Sequence, residues 1–246
     1  MYQLELAKSG KRLFQIRGNY LITVIIIGAV IANCINKIGP FDSTIANQFW
    51  FWLSLGIASL GAVIRIITSG YAALGTSGNI KDQAVAKELN TTGPYSLVRN
   101  PLYVGRILNF TGIAMLSGSW VFGLITFLCS VLIYERISVY EEEFLRKEFG
   151  DAHAKWARQV PFLMPRLKGW VKPKYNFWIK RMVMREDTKI YWLVTAVVLN
   201  DCARSGFDVV QIAQDLRLFY FWVIATLTVT LIRAFIYLTK LFDGMS

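Results

Sequence analysis

The chain has 246 residues, 54% of them hydrophobic and only 17% charged, and Lys and Arg outnumber the acids to leave a net charge of +11. Soluble domains carry roughly 25% charged residues, so this balance argues against a soluble enzyme and for a protein that spans a membrane. Three cysteines without zinc-site spacing and a single histidine, His153, argue against a metal enzyme.

The first nineteen residues are polar and basic, and the apolar run behind them has no small-x-small cleavage pattern, so a cleaved secretion signal is not expected. Ile31-Ala32-Asn33-Cys34 is a poor lipoprotein processing site, because Asn33 stands where a small residue is needed. Uncharged runs extend over Gly18 to Asn36, Ser43 to Ile64, Ile107 to Tyr134 and Leu218 to Ile232. A crossing helix needs about 20 mostly apolar residues, so the first two runs predict one span each. The third is too long for one span and contains the turn signal Ser117-Gly118-Ser119; it predicts a two-span hairpin beginning near Leu102.

Between the second span and the hairpin, Gly75 to Asn90 reads as a polar surface segment, and Thr91-Thr92-Gly93-Pro94-Tyr95 as a turn. Pro101 suits the first turn of the next helix. The second hairpin helix is expected to leave the bilayer over Arg136 to Phe149 and to stop at Gly150. Ile190 to Asn200 is apolar but short, closer to an interfacial or re-entrant piece than to a span, whereas Leu218 to Leu241 is long enough to cross. The expected fold is all-α and polytopic, with about five or six transmembrane helices. Its divisions are 1–90 (spans and connector), 91–166 (a core with the hairpin) and 167–246 (a basic segment and C-terminal membrane helices).

Charge sets the expected orientation. Lys8, Lys11, Arg12 and Arg17 precede the first span, and Lys81, Lys87 and Arg99 follow the second, which puts the N-terminus and these loops in the cytoplasm. Between Arg146 and Lys189, twelve Lys or Arg face four acids, a surface suited to anionic lipid headgroups. No nucleic-acid recognition motif accompanies it, so a nucleic-acid partner is not expected.

Two polar features stand out. The run from Gly93 to Gly105 offers backbone donors at a helix start, the Arg99 guanidinium and a close-approach position at Gly105, the parts of an anion or cofactor site. An ordinary Pro-started helix with an interfacial Arg explains the same residues. Glu141, Glu142 and Glu143 stand at the mouth of a span, where carboxylates are solvated, paired or used.

Together the two blocks resemble the isoprenylcysteine carboxyl methyltransferase and phospholipid methyltransferase family. Gly93, Pro94, Tyr95, Arg99, Pro101, Tyr103 and Gly105 fit its first motif; Glu141, Glu142, Leu145, Phe149, Gly150, Val160, Pro161 and Pro165 fit its second. The resemblance covers roughly Thr91 to Arg166 and implies S-adenosylmethionine as cofactor, held between the two blocks on the cytoplasmic side. Carried over residue by residue, it implies a pocket of Tyr95, Leu97, Val98, Arg99, Asn100, Pro101, Tyr103, Gly105, Glu141 and Glu142. Arg99, Glu141 and Glu142 are the candidate catalytic residues, and Arg106 and Arg146 the candidates for an anionic headgroup of a membrane lipid or lipidated substrate. No metal ligands are expected. Asn100 stands where many members have His, His153 and Trp156 fill two aromatic positions, and Phe162 replaces an Arg. These departures bear on the acceptor more than on the cofactor. The implied activity is methyl transfer to a lipid carboxylate, phosphate or amine, in a compact protein that suits a bacterial inner membrane. A membrane reductase related to sterol reductases, or a non-catalytic protein of the same fold, are the alternatives.

Overall fold

In the computed structural model, the described residues are 2–16, 19–35, 41, 43–73, 76, 86–208, 210 and 216–239. Most of the expected connector Gly75 to Asn90 lies outside them. Seven helices are described: α1 (Tyr2–Ile16), α2 (Asn19–Ile35), α3 (Thr44–Tyr71), α4 (Pro101–Met115), α5 (Trp120–Gln159), α6 (Ile179–Arg204) and α7 (Arg217–Thr239), with a 3-10 turn at Gly93–Ser96. Among the described residues, α3, α5 and α7 are long and apolar enough to cross a membrane, and α2 carries a shorter apolar stretch. Large apolar side chains such as Trp52, Leu60, Leu128 and Leu231 point outward. The protein is a polytopic all-helical membrane protein.

The α3–α4 pair is the tight centre of the bundle. Lipid is as apolar as the helices themselves, so membrane helices associate through close packing and polar contacts, which small residues permit. On α3 the inward residues include Ser54, Ala58 and Gly61; on α4 they include Gly105, Asn109 and Gly112. A Cβ at Gly61 would collide with the Gly105 carbonyl, and one at Gly112 with the backbone of Ala58 and Ser54. Asn109 Nδ2 donates to the Ala58 carbonyl at 3.1 Å across this seam.

The hairpin turns where the sequence places it. Gly118 takes a φ of 75°, and Ser119 caps α5, its hydroxyl accepting from Phe122 N at 3.2 Å. From there α5 climbs about 45 Å to Gly150, well beyond a hydrocarbon core of about 30 Å. Gly150 does break the helix, with φ 49° and ψ −121°, but helix resumes at once and runs on to Gln159. The expected stop is therefore a kink, since the residues beyond it are good helix formers.

Two further elements add to the sequence reading. The polar N-terminus is an amphipathic helix whose Ala7, Gly10 and Phe14 face inward, Phe14 meeting Tyr140 edge to face at 5.4 Å. Ile190 to Asn200 is the second half of the 26-residue α6, whose first half is charged and carries Arg181, Glu186 and Asp187 into the bundle. At the hairpin-turn end, Asn33 of α2 bonds Asn200, and Arg204 Nη2 donates to the Leu116 carbonyl at 2.7 Å.

Candidate functional site

The polar ends of α4 and α5 come together with the chain that follows α5. Pro94 and Gly93 (φ 60°) shape the 3-10 turn, and Leu97 to Asn100 lead from it to Pro101 at the first position of α4. This strip is bonded to the segment after α5 like an edge pair. Arg99 N donates to the Pro161 carbonyl at 2.9 Å, and Arg166 N to the Leu97 carbonyl at 3.1 Å. Gly93 N donates to the Val171 carbonyl at 2.9 Å. Arg166 adds side-chain donors to the Ser96 and Gln159 carbonyls at 3.0 and 2.8 Å, and Trp156 Nε1 donates to the Tyr95 carbonyl at 3.2 Å.

At the centre, Arg99 Nη1 meets Glu142 Oε2 at 2.6 Å, with both side chains largely buried. The guanidinium also lies 5.1 Å from the centre of the Phe162 ring. Phe162 thus supplies an aromatic face to Arg99 where the family pattern has a second Arg. Asn100 Nδ2 donates to the Phe162 carbonyl at 3.1 Å, tying down the same loop. Arg99 Nε and Glu142 Oε1 of this pair, and Ser138 Oγ and His153 Nε2 on either side of Glu142 along α5, have no hydrogen-bond partner of ordinary geometry among the described residues, although the Asn100 side chain stands close enough to the Glu142 carboxylate to favour its charged form. Buried polar groups are almost always hydrogen-bonded, so these orphans single out the pair as a candidate ligand site. The set holds donors for an anionic group and an acceptor for a cation or a hydroxyl.

The other expected site residues divide by position. Tyr95, Leu97 and Val98 belong to the strip, and Tyr103 stacks on Tyr134 of α5 with ring centres 4.9 Å apart. Glu141 sits beside Glu142 on α5. Gly105 faces away, packed against Gly61 and Arg65 of α3, so a partner helix uses its small size. Arg106 lies further along α4, over the Phe110 ring at 5.4 Å, while Arg146 is exposed on α5. His153 is buried beyond the Gly150 kink, edge-on to Trp156 at 5.8 Å. Burial, with Arg99 and Arg146 acting in the same sense, holds its pKa below the usual imidazole value. That keeps it a neutral ring at physiological pH.

Sequence reading missed Ser138, which lies one helical turn before Glu142, and the stitching by Arg166. It also missed a buried pair. Arg65 of α3 donates from Nε and Nη2 to the two carboxylate oxygens of Glu186 on α6, each at 2.9 Å. The available signal was Arg65 itself, a lone charge directly after an uncharged run, which marks a paired or functional position.

Residues 51–152 match the family model described as phospholipid methyltransferase, a stretch that contains both Arg99 and Glu142. This stretch, about two fifths of the chain, is similar to the phospholipid methyltransferase family. The chain is also similar to the cobalt-zinc-cadmium resistance protein CzcN of Cupriavidus metallidurans, 29% identical over 58% of this chain and 62% of its own length. The protein-S-isoprenylcysteine O-methyltransferase of Schizosaccharomyces pombe is 30% identical over 46% of this chain and 48% of that protein. Human phosphatidylethanolamine N-methyltransferase is 34% identical over 37% of this chain and 47% of its own length. The chain thus spans about half to three fifths of the curated relatives it matches. No solved structure matches it.

Proposed function

We propose that the protein is an integral-membrane S-adenosylmethionine-dependent methyltransferase acting on a lipid or lipid-linked acceptor. The observation that carries this reading is the buried Arg99–Glu142 pair with its unsatisfied Nε and Oε1, inside the family-matched stretch. Bound there, S-adenosylmethionine would supply a sulfonium-activated methyl group to an oxygen or nitrogen nucleophile, the electron pair of the S–CH3 bond remaining on the thioether sulfur. The chain's task is then positioning and electrostatics. Glu142, with Glu141 beside it, faces positive charge or ribose hydroxyls, and Arg99 offers its free Nε to a carboxylate. Tyr95, Leu97, Val98, Asn100, Pro101 and Tyr103 form the walls, and Gly105 sets how near α3 lies. A carboxylate or phosphate acceptor needs no base. An amine has to lose a proton, for which Glu141 or Glu142 is the nearest acceptor.

By the positive-inside rule the site and the N-terminus face the cytoplasm, with five or six spans, in a membrane that the compact size suggests is a bacterial inner membrane. A lipid-tailed acceptor then enters between helices while the soluble cofactor arrives from the cytoplasm. The test is calorimetric binding of S-adenosylhomocysteine to detergent-purified protein and to Glu142→Ala. Binding that the variant loses supports the reading; folded wild-type protein that does not bind sinks it.

A second reading rests on the names of two relatives. CzcN and a nickel-cobalt-cadmium resistance protein from Alcaligenes xylosoxydans xylosoxydans each match 58% of this chain, more than the methyltransferases do. It assigns the chain a role in metal resistance. A deletion strain that loses metal tolerance while its methylated lipids stay unchanged would favour this over methyl transfer.

A further inference from the structure

Residues 161–180 join α5 to α6 and carry apolar side chains that the bundle leaves uncovered. Leu167 is 99% exposed and Met164 82%, and Trp170, Val171, Trp178 and Ile179 are exposed beside them. Five Lys or Arg and no acid lie in the same stretch. Arg166 is spent on backbone carbonyls and Lys174 pairs with Glu88, which leaves the exposed Lys168, Lys172 and Lys180. The stretch lies beyond the family-matched residues 51–152.

Its depth follows from the helices that hold it. Trp50 Nε1 donates to the Met115 carbonyl at 2.8 Å, which sets that point of α3 level with the hairpin-turn end of α4. From Trp50, α3 rises about 30 Å to Gly70, whose carbonyl accepts from Trp178 N at 3.0 Å. On α4 the rise from Met115 back to Pro101 is about 21 Å, and Arg99, just before it, is bonded to Pro161. The hydrocarbon core is about 30 Å thick. With the hairpin turn at one boundary, residues 161–180 therefore run along the other rather than out in water. Trp side chains collect at such a boundary, and Lys reaches from it to the headgroups. An apolar patch ringed by charge marks an interaction surface.

We propose that residues 161–180 are an interfacial anchor that seats on an anionic bilayer surface and thereby steadies the Arg99 site. Met164, Leu167 and Trp170 enter the acyl boundary, while Lys168, Lys172 and Lys180 hold anionic headgroups. The partner is the bulk membrane surface, not the methyl acceptor. Its charge is set by complementarity, since a stretch with five cations and no acid gains from each Lys it brings near an anionic leaflet. Seating reaches the site through the backbone. Gly93 N donates to the Val171 carbonyl, Val171 N to Ser96 Oγ at 3.0 Å, and Arg166 N to the Leu97 carbonyl. Arg99 stands in the strip so held, and anionic lipid therefore tightens cofactor binding. That last step rests on the methyltransferase reading; the anchor does not.

The test uses the full chain in nanodiscs of phosphatidylcholine, alone or mixed with phosphatidylglycerol. An NBD fluorophore is attached at Leu167→Cys, with Cys34, Cys129 and Cys202 replaced by Ala, and is quenched by doxyl groups carried on the lipid. Quenching that strengthens with phosphatidylglycerol is expected. Lys168→Gln/Lys172→Gln/Lys180→Gln should lose that dependence, and the matching triple Arg variant should keep it. Calorimetry on the unlabelled chain should show S-adenosylhomocysteine binding about threefold tighter in the anionic discs, an advantage that high salt and the triple Gln variant both remove. A label that stays in water, or quenching that ignores phosphatidylglycerol, overturns the anchor. A label shielded from water yet not quenched by lipid also overturns it, and assigns the surface to a protein partner. A seated label with equal cofactor affinity in both discs overturns the link to the site. Seating that depends on phosphatidylglycerol in a chain that binds no S-adenosylhomocysteine upholds the anchor and rejects the methyltransferase reading.

Discussion

Glu186→Ala offers the sharpest test of how this bundle is held together. Arg65 is 7% exposed and Glu186 2%, so the substitution strands a guanidinium in the protein interior. It removes two charge-assisted bonds and the Ser69 contact, leaving Arg65 only the Leu102 carbonyl. Breaking a buried pair by deleting one partner costs about 3–5 kcal/mol. Replacing both partners, as in Arg65→Met/Glu186→Met, removes the stranded charge and is expected within about 1 kcal/mol of wild type or above it. Tryptophan fluorescence of unfolding in mixed micelles titrated with dodecyl sulfate reads both values. A cost below about 1 kcal/mol for Glu186→Ala, or a double variant as unstable as the single, would refute the view that a desolvated charge is what this pair neutralises.

Three other outcomes are expected. Gly112→Ala drives a methyl into the α3 backbone and should cost about 1–3 kcal/mol, whereas Gly56→Ala, which has open space around it, should be neutral or stabilise by up to about 1 kcal/mol; the same micelle unfolding assay compares them. Arg166→Lys loses the fork that reaches the Ser96 and Gln159 carbonyls, so calorimetry should show weaker S-adenosylhomocysteine binding with the helices intact by circular dichroism. Hydrogen bonds from Lys174 and Tyr175 hold the Glu88 carboxyl below its usual pKa. A depressed folded-state value means that this contribution is present above the unfolded pKa and fades as pH falls through the folded one. Hydrogen exchange near Lys174 should therefore speed up, after correction for intrinsic rates, as pH drops through the acid range, with no such step in Glu88→Gln.

The apolar runs, the turn at Ser117-Gly118-Ser119 and the start of α4 at Pro101 were all legible, because each depends on local chemistry. So was the neighbourhood of Arg99 and Glu142, since that one turn folds α4 against α5 and brings the two motif blocks together. The α1 helix could have been read from the spacing of Ala7, Gly10 and Phe14, but the eye goes to its lysines. The charged half of α6 could not be read. Its helical stretch looks like a solvated basic segment until Arg65, far earlier in the chain, is known to face it. Asn100 looked like a weakened His, and only the Phe162 carbonyl shows it fastening a loop.

The separation between Arg65 and Glu186 also has a consequence in time. The two are 121 residues apart, and ribosomes add about 5–20 residues per second. For roughly ten seconds, α3 must wait at the insertion machinery or in the bilayer with an unneutralised guanidinium, until its counter-charge has been synthesised. The order of manufacture thus makes α6 the element that neutralises α3, and a nascent chain interrupted before Glu186 carries a built-in mark of being unfinished.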